Sequence, residues 1–368
     1  MPDPRKLPDM PALMIAGPGE VHEEDLDVLG RQLIAHYGDV WTGIHNGLIE
    51  RVGEFLGAAD TPYLIPGTGT LGLDAGVANV FQEGDRVVVP DTGFFGTRLV
   101  EVARAHRLEV DEIPVEVGTP VDVEEVGRRV AGAAGVLMVH VETATGIRHP
   151  IEQVAKVARD AGAFFLVDGI ASVGGELVNV DRDGIDVLVT GTQKGLEAPP
   201  GLGIVALGSR ARERIEGREE PPRSWYLDLK RWDWYRTEWP HHPHPVTMPT
   251  NLFLALASSV ERILEAGLEA WVGRRSELAK KLRQGLTDLG LDLVAPSGYE
   301  ANLVTAFYVD DAPGVVKHLI TDEGIQISGG LDPLATEVVR IGLMGRTATD
   351  EWVDRVLAGV ANALKTSR

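Results

Sequence analysis

Between about residues 62 and 207, short apolar runs alternate with stretches whose apolar positions recur at helical spacing. The runs are Tyr63-Leu64-Ile65, Arg86-Val87-Val88-Val89, Gly135 to Val141, Ala163 to Val167, Ile185 to Val189 and Gly203 to Leu207. Most are continuous and rich in β-branched residues, the pattern of parallel strands covered on both faces. Between two of them, Ile151, Val154, Ala155 and Ala158 share one face of a predicted helix. The alternation predicts an α/β domain with a mostly parallel sheet flanked by helices. In such sheets, sites lie beyond the carboxyl ends of the strands.

The pattern breaks near residue 216. Gly217 to Thr250 holds four of the seven tryptophans (Trp225, Trp232, Trp234, Trp239), several prolines and three histidines. It reads as an irregular, aromatic-rich excursion. Long helices are predicted over Leu252 to Ala266 and Leu268 to Leu289. Strands near Asn302 to Val309 and Val338 to Ile341, with a helix from Asp350, predict a smaller α+β unit. The expected organisation is an N-terminal arm (1–20), a large domain (21–250) and a small C-terminal domain (251–368).

Composition narrows the picture. A formal charge of −20 argues against nucleic acid or an anionic membrane as partner. No apolar run reaches the roughly 18 residues of a membrane span. The first residues lack the layout of a signal peptide, and there is no cysteine for disulfides, thiol nucleophiles or thiolate metal sites. The expectation is a cytoplasmic protein.

Lys194 stands out among eight lysines, because it lies just past an apolar strand, in Thr190-Gly191-Thr192-Gln193-Lys194. Lysines are rarely buried without a partner. Enclosure lowers the pKa of the amine and suits it to Schiff-base chemistry; the plainer alternative is a loop lysine reaching to water. Asp168 ends the run Ala163 to Val167 and, if buried, needs a cation or several donors. A pyridinium nitrogen is one such partner; a helix cap is the alternative. Pro66-Gly67-Thr68-Gly69-Thr70-Leu71-Gly72 follows a strand and opens a helix predicted over Leu71 to Phe81, an anion site for one phosphate. The same glycines match G-x-G-x-x-G, and Asp91 stands where a dinucleotide fold places its ribose acid. That segment alone favours a nicotinamide cofactor. Phe94 and Phe95 could stack on a flat ring or simply fill the core.

In combination, these segments resemble class V aminotransferases of the pyridoxal-5′-phosphate (PLP) transferase fold type I, in the alanine–glyoxylate and serine–glyoxylate branch. The resemblance runs from Gly17-Pro18-Gly19 nearly to the C-terminus. It rests on Pro66 to Thr70, Gly93 to Arg98, His140-Val141-Glu142-Thr143-Ala144-Thr145-Gly146, Val167 to Gly175, Gly191 to Gly201 and Val339 to Gly345. The resemblance implies PLP as cofactor, Lys194 as its Schiff-base lysine and Asp168 as partner of the pyridine nitrogen. Thr68, Gly69, Thr70 and Gln193 correspond to the phosphate cup, Thr143 to the hydroxyl near the phenolic oxygen, and Arg340 to the arginine that binds substrate carboxylate. Phe95 stands where relatives often carry a stacked tryptophan.

One stretch departs from the family. Relatives send a tyrosine and a threonine to the phosphate of a neighbouring subunit; here the aligned residues are Trp239-Pro240-His241-His242-Pro243-His244-Pro245. His241, His242 or His244 could replace that contact. They also invite a metal reading, but no carboxylate pattern completes a site, and no metal is expected. The implied activity is ping-pong amino transfer from an alanine- or serine-type amino acid to glyoxylate or pyruvate, in a homodimer with its site near the interface. The alternatives are another PLP enzyme of this fold, such as a lyase or amine-specific transaminase, and an NAD(P)-dependent oxidoreductase.

Overall fold

The computed structural model describes residues 10–366; residues 1–9, with Lys6 and the start of the expected N-terminal arm, and residues 367–368 lie outside it. Among the described residues, seven strands form the central sheet: β1 (Tyr63–Pro66), β2 (Arg86–Asp91), β3 (Glu109–Pro114), β4 (Gly135–Val139), β5 (Phe164–Asp168), β6 (Val187–Gly191) and β7 (Leu202–Leu207). Their spatial order is β1-β7-β6-β5-β4-β2-β3. From β6 to β3 every pairing is parallel. β7 is antiparallel to both its neighbours. β4, β6 and β7 are buried throughout, which is why their sequences are apolar without alternation.

All six apolar runs are strands, and β3 is the one the pattern missed. Its sequence, Glu-Val-Asp-Glu-Ile-Pro, lies at the sheet edge and is mostly half-exposed. An edge strand needs no continuous apolar face and tolerates charges. Asp111 instead binds Arg86 and Arg129 across the edge.

The aromatic-rich excursion is more ordered than its composition suggested. It contains the helix Leu229–Glu238, which buries Trp232. Asn79, buried in the helix Gly69–Val80, donates to the Leu227 carbonyl at 2.7 Å and accepts from the Leu229 amide at 3.1 Å. The Trp232 indole donates to the Tyr226 carbonyl at 2.9 Å. Tertiary hydrogen bonds, rather than helical periodicity, place this helix.

Among the described residues, two large apolar cores accompany two small clusters. The first joins the central sheet to its helices and includes Phe253, Leu256, Val260 and Ile263 of the helix Thr250–Ala266. The second packs Leu278, Leu282 and Leu286 of the helix Leu268–Asp288 against a three-stranded sheet and the helix Asp350–Thr366. That sheet comprises β8 (Val304–Tyr308), β9 (Ser328–Gly329) and β10 (Val338–Gly342), in the order β8-β10-β9. Met14 is buried in this second core, Ala12–Leu13 pairs with Ile325–Gln326, and the Gly342 amide donates to the Met14 carbonyl. The first described residues are therefore fastened to the smaller unit.

Candidate active site

The carboxyl ends of β1, β2, β4, β5 and β6 share one edge of the sheet, and the candidate residues gather there. Lys194 follows β6 in a turn whose next polar residue, Glu197, has a left-handed backbone (φ 55°). The Glu197 amide donates to the Lys194 carbonyl at 2.9 Å. Glu197 is 2 % exposed, and its carboxylate lies 2.5 Å from Arg275 and 2.8 Å from His22. These two side chains clamp the turn that carries Lys194.

Lys194 itself is 8 % exposed, and its Nζ donates to the carbonyl of Ala16. Burial, reinforced by the Arg340 charge and opposed by Asp168 and Glu142, lowers its pKa from 10.5 to about 8. Asp168, at the end of β5, is 4 % exposed. Burial raises its pKa to about 6, against the pull of the Ile170 amide and the Lys194 and Arg98 charges. Among the described residues its carboxylate accepts one hydrogen bond, from the Ile170 amide at 2.9 Å. A buried acid with so few donors suits a further N–H partner.

Arg340 approaches Lys194 from the small sheet, close enough for its charge to act on the amine. It sits on β10, the middle strand of the small sheet, and donates to the Gly329 carbonyl at 2.8 Å and the Thr143 carbonyl at 3.2 Å. It is 7 % exposed, and among the described residues no carboxylate lies within ion-pair distance of it. Burial lowers its pKa, with the Glu142 charge opposing. A buried guanidinium without a carboxylate is prepared to receive one.

The start of the helix Gly69–Val80 lies beside Gly191, three residues before Lys194. Thr68 is its N-cap but makes no side-chain capping bond, so the first amides have no side-chain partner from that residue. A Cβ on Gly191 would lie 2.7 Å from Gln193 Oε1 and 3.2 Å from the Gly69 nitrogen, so this amide side chain and the helix start flank one spot. Gln193 Oε1 is buried without a hydrogen-bond partner. The two ends of a side-chain amide are interchangeable in placement, and the opposite orientation presents donors. Thr68, Gly69, Thr70 and Gln193 thus form a donor set suited to one phosphate, and with Lys194 and Asp168 the residues present fit PLP. Asp91, the acid of the dinucleotide alternative, is engaged by the Gly93 amide and the Thr97 hydroxyl at the start of the helix Phe94–Ala105.

Phe95 is half-buried at the start of that helix, with the Arg98 guanidinium 4.8 Å from its ring centre. Thr143 is buried in a tight hairpin between Val141–Glu142 and Ile147–Arg148. The sequence reading assigned no role to Glu142 or to the N-terminal crossing. Glu142 is fully buried and ties the Phe95 and Thr143 segments together. Burial pushes its carboxyl up to about 7, against the amides of Ala144, Gly96 and Phe95. Gly17 (φ 105°) passes so close that a Cβ there would lie 2.5 Å from Lys194 Cδ and Nζ. The only signal for Gly17 was the Gly-Pro-Gly run.

The histidines of the excursion lie elsewhere. His244 is 0 % exposed. Its Nε2 accepts from the Trp41 indole at 2.9 Å, and its Nδ1 donates to the Val246 carbonyl at 2.7 Å. Both ring nitrogens are spent inside its own chain, which removes His244 as a residue reaching a neighbouring subunit. His36, which the sequence reading did not weigh, completes a triad with His242 and His244. With His244 committed, two histidines remain, too few for a metal site.

The family profile described as aminotransferase class-V matches residues 28–356. An uncharacterised aminotransferase of Methanocaldococcus jannaschii is 34 % identical over 96 % of this chain and 92 % of its own. The (S)-ureidoglycine–glyoxylate transaminase of Bacillus subtilis is 31 % identical over 96 % of this chain and 90 % of its own. A solved alanine–glyoxylate aminotransferase from Nostoc sp. superposes with a TM-score of 0.93, covering 99 % of this chain and 97 % of its own at 28 % identity.

Proposed function

From the premise that the chain belongs to the class V aminotransferases, a family that uses PLP, we propose that it moves an amino group from an alanine- or serine-type amino acid to glyoxylate or pyruvate. One observation carries the reading: buried Lys194, with its lowered pKa, lies within electrostatic reach of buried Asp168, with its raised one, and of buried Arg340, which has no carboxylate partner among the described residues. When bound, PLP supplies a sink for the electrons of the substrate Cα–H bond. The residues do the rest. Asp168 would hold the ring nitrogen protonated, and Phe95 and Thr143 would hold the ring in place. Thr68, Gly69, Thr70 and Gln193 hold the phosphate. Arg340 binds the substrate carboxylate through its two-pronged guanidinium. Lys194 holds the cofactor, then takes the α-proton and returns it, a task for an amine whose pKa lies near 8.

Glyoxylate as acceptor is supported by the names of the Bacillus subtilis and Nostoc relatives, which share it while their donors differ. The reading also includes a homodimer, supported by exposed Leu33, Tyr37, Val40, Trp234 and Trp239. The test is a panel of amino donors against glyoxylate and pyruvate, followed by initial rates. Parallel double-reciprocal lines are expected. A yellow protein that exchanges no amino group between two acids would instead be a lyase or a binding protein.

A further inference from the structure

Glu142 lies in the hairpin Val141–Glu142/Ile147–Arg148 and is 0 % exposed. Its Oε2 accepts from the Phe95 amide at 3.0 Å, the Gly96 amide at 3.1 Å and the Thr92 hydroxyl at 3.3 Å. Its Oε1 accepts from the Ala144 amide at 3.0 Å. The Phe95 and Gly96 amides belong to the first turn of the helix Phe94–Ala105, so a carboxylate from another strand connection caps this helix. The same carboxylate orients the loop bearing Thr143, whose carbonyl receives Arg340. One side chain therefore fixes the distance between the Phe95 ring and the Thr143–Arg340 contact.

Its charge has a second consequence. Lys194 lies within electrostatic reach of two other cations, Arg340 and Arg98, and of two acids, Asp168 and Glu142. The Arg340 charge disfavours that of Lys194, and Glu142 favours both. No atom of Glu142 lies within ion-pair distance of either cation among the described residues, so it acts on them through space. Buried charges interact over such distances with far less screening than exposed ones.

We propose that Glu142 is a positioning residue for the reaction: it locks the Phe95 segment to the Thr143 hairpin and supplies the negative charge that lets Lys194 and Arg340 lie buried near each other. This rests on the proposed PLP reading, and the test separates the two. Purified wild-type protein with PLP is titrated from pH 5 to 10 by its visible absorbance and its induced visible circular dichroism. Absence of any protein-bound visible band in the wild type would defeat the PLP reading itself. With the band present, Glu142→Gln removes the charge at nearly constant shape. The absorbance midpoint should then fall by about one pH unit, because a lost anion disfavours the protonated, cationic form at Lys194. The kcat should drop by about tenfold or more while KM for carboxylate substrates does not rise, since Arg340 keeps its guanidinium. An unmoved midpoint in the folded variant overturns the electrostatic role. Glu142→Asp keeps the charge but withdraws it by one methylene from the Phe95 and Gly96 amides, and it serves if the glutamine variant does not fold. Its expected signature is a weakened induced dichroism at a midpoint near the wild-type value. A dichroism equal to wild type would overturn the positioning role. Thr92→Val, which removes only the hydroxyl contact, should leave both readouts in place; a midpoint shift as large as that of Glu142→Gln would assign the effect to the hydrogen bonds instead of the charge.

Discussion

Replacing Lys194 with methionine should stabilise the cofactor-free chain while abolishing amino transfer. Lys194 is 8 % exposed, and its pKa falls from 10.5 to about 8. A folded-state value below the unfolded one means that the unfolded chain binds the proton more tightly. Stability therefore rises with pH between about 8 and 10.5, and the full penalty applies below that window. The displacement corresponds to about 3 kcal/mol. Methionine fills a similar volume without a charge. It forfeits the hydrogen bond to the Ala16 carbonyl, worth about 1–2 kcal/mol. The net gain at pH 7 is then about 1–2 kcal/mol, and it should vanish or reverse above about pH 10. Urea denaturation of both cofactor-stripped proteins at pH 7 and pH 10.5, compared at equal slope, reads this difference directly. A methionine variant that is less stable at pH 7, or an advantage that does not change with pH, would refute the argument.

Arg275→Met should destabilise the protein by about 3–5 kcal/mol, because it leaves the buried Glu197 carboxylate without its arginine; thermal unfolding of the variant checks this. Burial raises the Glu197 pKa, but its bonds to His22 and Arg275 outweigh this and hold it below 4.5, so its stabilisation is present above that value and fades as acid protonates it. Acid-unfolding curves of wild type and Glu197→Gln should accordingly converge as the pH drops. Gly17→Ala should impair PLP attachment, since the new Cβ would lie 2.5 Å from Lys194 Nζ at a backbone angle that side chains resist; unchanged PLP affinity by equilibrium dialysis would contradict it. Arg340→Ala should raise KM for carboxylate substrates by roughly 10- to 100-fold, the loss of a charge-assisted pair, and an unchanged KM would confine Arg340 to bonding Gly329 and Thr143.

The sheet was legible because β4, β5, β6 and β7 are buried on both faces, and their sequences could carry no polar alternation. β3 was not, because an edge strand is specified by its partner and by Asp111, Arg86 and Arg129 rather than by apolar pattern. The helix Leu229–Glu238 escaped for a related reason: Asn79 fixes it from across the chain. Lys194 and Asp168 could be singled out as charged residues closing apolar strands. Arg340 became a candidate only through the family resemblance, since nothing local distinguishes it from an arginine in a surface ion pair. Glu142 was hidden by its surroundings. A glutamate in a strand-turn sequence reads as solvent-facing, and its burial depends on amides contributed by residues 95, 96 and 144. His244 illustrates the reverse error: three nearby histidines suggested an outward role, whereas the Trp41 indole draws this one into the core.

The central claim concerns the amine at position 194, and one chemical measurement addresses it. Purified protein loaded with PLP is reduced with borohydride, digested, and mapped by mass spectrometry. The account predicts a single pyridoxyl adduct, on the peptide containing Lys194, and none in the Lys194→Met variant. An adduct on any other lysine, or no adduct despite tight PLP binding, would contradict it.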